Sequence, residues 1–219
     1  MSIAFSWSGG KDSAMALNEL AKNGQPVAYL LSTVTKDYDR VSMHGVRRSL
    51  LERQSESIGI PLEEVFLSKK SSNAEYEERM SEKLSYLKAN GVTTIGFGDI
   101  FLADLRKWRE ERTKSIGMDC VFPIWKRDTR ELASTFIRLG FKAVIACVDS
   151  KALGKEFAGR EFDGALLSDL PKGVDPCGEN GEFHTFVYDG PIFKDGIEFN
   201  RGEVVLRESR FYYCDLIPK

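Results

Sequence analysis

Apolar positions recur along the chain in two rhythms. Short, nearly uninterrupted apolar runs at Ile3 to Trp7, Val27 to Val34, Val65 to Leu67, Thr93 to Phe97 and Lys142 to Val148 predict strands. Between them, apolar side chains fall at helical spacing: Ala14, Leu17, Leu20 and Ala21, then Val46, Leu50, Leu51 and Ile58, then Tyr76, Met80, Leu84 and Leu87. Further helices are predicted over Ala103 to Ile116 and Asp128 to Leu139, with Asp128 as N-cap. Gly24, Gly59, Gly91, Gly117 and Gly140 stand where these helices should stop.

The strands lack period-two alternation, which is expected where both faces of a sheet are covered. Strand and helix alternate up to residue 149, so the pattern predicts an α/β fold with a doubly wound five-stranded parallel sheet. Beyond that point Gly and Pro become frequent, and strand-like pieces appear at His184 to Tyr188, Val204 to Arg207 and Phe211 to Leu216. Two units are therefore expected, a larger one over 1–149 and a smaller C-terminal α+β appendage over 150–219.

Of the 219 residues, 42 % are hydrophobic and 29 % charged, enough to bury a sizeable core. A formal net charge of -2 without a long basic run argues against a nucleic-acid partner. The four cysteines are widely spaced with no CxxC pair, so structural zinc and a redox dithiol are not expected, and a reducing, cytoplasmic setting fits them. The sequence opens directly on a strand pattern, and no apolar run reaches membrane-spanning length, so neither a signal peptide nor a membrane partner is expected.

The densest chemistry lies at the first strand–helix junction, Ser8-Gly9-Gly10-Lys11-Asp12-Ser13. In a parallel sheet, ligands bind at the carboxyl ends of the strands. Glycines let the backbone approach closely, so its N–H groups can form a nest for an anion, aided by the helix N-terminus. Ser8 and Ser13 add hydroxyl donors and Lys11 a cation. Asp12 would repel phosphate, so its expected role is to hold Mg²⁺ or the loop itself. The spacing is neither Walker A nor the three-glycine dinucleotide fingerprint. A plain glycine turn with an exposed lysine is the bland alternative, and six residues of this kind at this junction make it the weaker one.

Ser8-Gly9-Gly10-Lys11-Asp12-Ser13 resembles the pyrophosphate loop of the N-type ATP pyrophosphatases, which are adenine nucleotide alpha hydrolase-like. The resemblance implies a Rossmann-like, HUP-type sheet. It also implies cleavage of ATP between the α and β phosphates, with an oxygen of the substrate adenylated and AMP then displaced by a nucleophile such as ammonia. A second dense run, Gly178-Glu179-Asn180-Gly181-Glu182-Phe183-His184-Thr185-Phe186, packs two carboxylates, two glycines, an amide and a histidine into its first seven positions. On its residues alone a polar hairpin before an edge strand is the slightly better reading. It resembles the C-terminal signature of the diphthine–ammonia ligase family, a subgroup of the same superfamily.

Gly96-Phe97-Gly98-Asp99 resembles the family's turn after the fourth strand; a glycine turn beside the phosphate loop could approach the α-phosphate, and Asp99 could bind metal or orient substrate. Two departures stand out. Where family ligases carry an Asp-Tyr-Gln-Arg run, this chain reads Asp104-Leu105-Arg106-Lys107, and His184 stands where an acid is common. Both touch the acceptor side and leave the ATP chemistry intact. A solvated helical face is the ordinary reading of Arg106, Arg109, Arg112 and Lys114, the alternative being that one Arg reaches an anionic substrate or the leaving pyrophosphate, and packing is the reading of Phe122 to Trp125. Cys177 reads as an inert thiol.

The resemblance thus implies an ATP-dependent C–N ligase that uses ATP and Mg²⁺, adenylates a carboxylate of a small molecule or of a protein side chain, releases pyrophosphate and transfers ammonia. Candidate catalytic residues are Lys11, Asp99, Glu179, Glu182 and His184, the last as proton acceptor from ammonium. Candidate ATP-binding residues are Ser8, Gly9, Gly10, Lys11, Asp12, Ser13, Ser32, Thr33, His44, Gly96, Phe97 and Gly98, with Asp12 at the metal. No glutaminase unit fits the length, so ammonia arrives free or from a partner; a homodimer is compatible with the sequence. The rival readings are another carboxylate acceptor, tRNA thiolation, and an ATP- or AMP-binding sensor without turnover.

Overall fold

The computed structural model describes residues 2–219. β1 (Ile3–Ser6) is the centre of the first sheet. Alternation sends Ile3 and Phe5 to one face, where Trp7 follows them, and Ala4 to the other. β1 pairs in parallel with β2 (Val27–Thr35) on one side and β5 (Thr94–Gly96) on the other. β4 (Leu62–Leu67) continues the sheet beyond β2, and β6 (Asp119–Val121) continues it beyond β5, both in parallel. A two-residue strand, β3 (Arg40–Val41), pairs antiparallel with the end of β2.

α1 (Lys11–Lys22) and α2 (Arg48–Ile58) cover one face, and α3 (Asn73–Ala89) and α4 (Ala103–Ser115) cover the other. Leu17, Leu20, Leu50 and Leu51 are the apolar stripe that α1 and α2 turn inward, with 0 to 3 % exposure. Caps set the helix ends: Ser72 accepts the Glu75 N–H at 3.2 Å, and Gly59 closes α2 in the left-handed conformation at φ 78°. α5 (Thr129–Arg138) starts at Asp128, whose carboxylate accepts the Glu131 N–H at 2.8 Å, as its sequence position predicts.

The second sheet is antiparallel, in the order β8 (Phe183–Asp189), β7 (Lys142–Asp149), β10 (Phe211–Pro218), β9 (Phe199–Arg207). It packs with α5 and with the short α6 (Gly164–Asp169). One core cluster runs without a break from Phe5 and Leu17 to Phe136, Val144 and Phe186, so the two sheets share their interior.

The first sheet has the five parallel strands expected, but its membership differs from the sequence reading. The fifth strand is β6, which is only three residues long and starts at the exposed Asp119, too little apolar signal to register. Lys142 to Val148 instead enters the antiparallel sheet. An uninterrupted apolar run reports burial of both faces and says nothing of strand direction. Sheet membership changes between β6 and β7, ahead of the 149/150 division expected from the sequence. Among the described residues no helix is long and apolar enough to cross a membrane.

Candidate active site

The turn from β1 into the start of α1 is formed by Ser8 to Ser13. The Ser8 N–H donates to Ser13 Oγ at 3.3 Å, the two hydroxyls lie 2.8 Å apart, and the Gly10 N–H donates to Ser8 Oγ at 3.2 Å. Gly9 adopts φ 78°, a conformation that only glycine enters cheaply. The first-turn N–H groups of α1 have no intrahelical acceptors. Thr185 of β8 accepts that of Lys11 through its hydroxyl, at 3.0 Å.

Two neighbours frame this nest. Gly98, just past β5, faces the backbone of Asp12 and Ser13; a Cβ there would lie 3.1 Å from Ser13 N. Glycine at 98 therefore keeps the turn close to the loop without a side chain over its donors. The second neighbour is β8. The Val187 N–H donates to Gly9 O at 2.9 Å, and Thr185 O lies 3.4 Å from His44 Nδ1. The Gly96 to Asp99 turn thus lies beside the Ser8 to Ser13 loop, as expected, and β8 brings the end of the Gly178 to Phe186 run to the same place.

Lys11 is 3 % exposed and aims its ammonium inward. The ammonium pairs with Asp12 at 2.8 Å, donates to the Cys177 carbonyl, and lies 5.3 Å from the Phe183 ring centroid. Burial opposes its charge, but Asp12, Cys177 and Glu179 outweigh it and leave its pKa above the ordinary value. In this form Lys11 thus ties the loop to the segment before β8.

Glu179 Oε1 accepts the Ile100 N–H at 2.7 Å and the Phe101 N–H at 3.3 Å, which couples the C-terminal loop to the β5–α4 turn. Burial raises its pKa to about 7, overcoming those two hydrogen bonds. Asp99 is 8 % exposed and faces Arg109. Arg109 Nη2 donates to Oδ1 at 3.2 Å, and Nε is ion-paired with Oδ2 at 2.9 Å without hydrogen-bond alignment. The guanidinium lies 4.3 Å from the Phe97 ring centroid. Burial raises the Asp99 pKa against the pull of Arg109.

His44 and His184 come from different halves of the chain and meet with ring centroids 4.5 Å apart. Burial lowers both pKa values, that of His184 to about 4, and each has a cationic neighbour or partner ring that disfavours a second charge. Both are therefore neutral near pH 7.

Other expected residues take internal roles. Glu182 closes its own loop, accepting the N–H groups of Asp175 and Asn180 and the Asn180 side-chain amide, each at 3.0 Å. Ser32 is 2 % exposed and its hydroxyl donates to the Trp7 carbonyl; Thr33 uses its own carbonyl to accept Ser42 N–H. Gly96 packs against the Phe5 ring inside β5.

Gln54 is not singled out by the sequence, Thr185 enters only as a member of the Gly178 to Phe186 run, and Arg109 only as one of several arginines on a charged helix. Gln54 left one signal: a polar residue in step with Leu50, Leu51 and Ile58 on the buried stripe of α2. Among the described residues no group of three or more His, Cys, Asp or Glu side chains is arranged to hold a metal ion. Asp12, 28 % exposed beside the loop, fits as a single oxygen ligand to Mg²⁺ carried in by phosphates, the usual manner for that ion. Two open clefts of about 680 and 700 Å³ lie away from these groups, between β4 and α3 and beside β9. The candidate site is marked by its backbone donors and by Glu179 beside them, and not by volume.

Residues 1–120 match the family model described as the diphthamide synthase N-terminal domain, and residues 128–216 match the one described as the diphthamide synthase C-terminal domain. The chain is 27 % identical over 227 residues to the diphthine–ammonia ligase of Danio rerio, covering 92 % of this chain and 88 % of that protein. It is 25 % identical over 232 residues to the diphthine–ammonia ligase of Homo sapiens, covering 95 % of this chain and 86 % of that one. Against the Schizosaccharomyces pombe enzyme of the same name it is 27 % identical over 222 residues, which span 92 % of this chain and 36 % of that protein.

Proposed function

Because this chain belongs to the diphthamide synthase family, we propose that it is an ATP-dependent ligase that joins ammonia to an adenylated carboxylate. The observation that carries this reading is the link from Glu179 to the Ile100 and Phe101 amides, in the same turn that packs Gly98 on the phosphate loop. A carboxyl group that titrates near 7 is thereby held beside a nest for phosphate.

In this reading the Ser8 to Ser13 loop binds the β and γ phosphates through backbone N–H groups and the two serine hydroxyls. Adenine lies towards Ser32 and Thr33, where contact falls to the backbone because the Ser32 hydroxyl is already taken. Mg²⁺, when bound with the triphosphate at Asp12, would neutralise charge on the leaving pyrophosphate. A substrate carboxylate oxygen attacks the α-phosphorus, the bond to the bridging oxygen breaks, and pyrophosphate leaves. Ammonia then attacks the acyl carbon, AMP departs, and one proton of the nitrogen passes to Glu179. His184, neutral and with its pKa near 4, is too weak a base for that proton at pH 7. It serves instead with His44 as an uncharged wall of the acceptor side. Lys11 swings its ammonium from the Cys177 carbonyl to the phosphates when nucleotide binds.

The acceptor is a diphthine-type side chain or a small carboxylate. The His44–His184 pair keeps both candidates, since it places neutral rings where the resemblance leads one to expect an acid. The experiment is incubation with ATP, Mg²⁺, ammonium and a panel of ¹⁸O-labelled carboxylates, including diphthine-bearing protein. AMP carrying one ¹⁸O, with pyrophosphate and an amide, is expected; ADP and phosphate would refute adenylation.

A further inference from the structure

Gln54 is completely buried, and its carboxamide joins three separate pieces of backbone and side chain. Oε1 accepts the Trp7 indole N–H at 3.0 Å, while Nε2 donates to Gly9 O at 3.0 Å and to Val187 O at 2.5 Å. Gly9 O also accepts the Val187 N–H at 2.9 Å, so this one carbonyl receives two donors from the interior side. A planar trans peptide sends its N–H opposite to its C=O. Holding Gly9 O inward therefore turns the Gly10 N–H outward, towards Ser8 Oγ, the side on which an anion would sit.

Glycine does not hold that plane by itself. At φ 78° both orientations of the peptide are accessible to it, and an outward carbonyl would repel phosphate. The restraint has to come from outside. The fit is close: a Cβ on Gly9 would lie 2.7 Å from Gln54 Oε1.

From this geometry we infer that Gln54 is a positioning residue for nucleotide binding. Its amide locks the Gly9–Gly10 peptide with the carbonyl inward and sets the register between the phosphate loop and β8, the strand that follows the Glu179 loop. The inference rests on the ATP reading above and adds to it the group that keeps the loop competent before nucleotide arrives.

The test is calorimetric titration of the full chain with Mg²⁺ and the α,β-methylene analogue of ATP, with thermal unfolding recorded for each variant. Gln54→Met keeps length and removes both donors; affinity should fall at least about tenfold, which is about 1.4 kcal/mol. Trp7→Phe removes the Oε1 partner and some buried volume but leaves both Nε2 hydrogen bonds, and the folded variant should bind within about twofold of the unaltered chain. Gln54→Glu loses its donor when ionised and regains one when protonated, so its affinity should recover as pH is lowered from 8 to 6, relative to the unaltered chain. The affinity is taken per folded molecule from the unfolding curve at each pH, so that refolding alone does not produce that recovery. Folded Gln54→Met that binds as well as the unaltered chain overturns the inference. Should Gln54→Met fail to fold, a flat pH response in Gln54→Glu overturns it. An unaltered chain that binds no nucleotide overturns the ATP reading itself, and the role of Gln54 with it.

Discussion

At Glu179 burial and hydrogen bonding pull in opposite directions, and burial wins. The folded state titrates near 7 and the unfolded carboxyl near 4.5. Between those values the folded state holds the extra proton, so this group makes stability fall as pH rises through the window. Glu179→Gln should flatten that decline in denaturation curves taken from pH 4.5 to 7. In turnover it should remove the rise in kcat through about pH 7 that a base requires, at a cost of roughly 10²-fold or more. Glu182 predicts a different outcome. It satisfies three N–H groups of its own loop, so Glu182→Ala should cost about 1–3 kcal/mol in unfolding free energy. Restoring the loop with Gln, which keeps one acceptor oxygen, should recover part of it.

One element owes its place to a residue far away in sequence. The stretch between β2 and α2 carries His44, and it is short of core: β3 has two residues and Met43 is 69 % exposed. Asp215 on β10 holds it down. Arg47 reaches that carboxylate at 3.0 and 2.7 Å, and Arg40 at 2.9 Å. These hydrogen bonds keep the Asp215 pKa at about 2, against 3.8 for the free side chain. Its stabilisation is present above 3.8 and is lost as pH falls towards 2. Asp215→Asn should cost about 1–2 kcal/mol at pH 7. It should also speed amide exchange at Val41, Ser42 and Gly45 more than in β1 or β5; uniform exchange across the sheet would rule out a local clamp.

At the scale of the whole molecule, two sheets and two family models divide the chain, yet the interior does not divide with them. Phe5, Trp7 and Leu17 of the first half share one core cluster with Phe136, Val144 and Phe186 of the second. Gln54 and Thr185 add polar ties across the same boundary. Urea unfolding should therefore give one cooperative transition with coincident fluorescence and circular dichroism curves. Two separated transitions would mean that the halves are stable independently.

The turn from Ser8 to Ser13 was legible in the sequence because it is local: six consecutive residues, a strand before and a helix after, settle its backbone. Helix ends at Asp128 and Gly59 were legible for the same reason. The parallel strand count was readable from burial, but burial leaves direction open, so Lys142 to Val148 was assigned to the wrong sheet. Long-range partners left almost no trace. Nothing in the spacing ties Gln54 to Gly9 and Val187, Asp215 to Arg40 and Arg47, or Glu179 to the Ile100 amide. Local sequence fixes which backbone conformations and which buried faces are cheap. Which carboxylate titrates near neutrality, and which merely closes a loop, depends on solvent exclusion and on donors brought from elsewhere in the chain, and packing alone decides those.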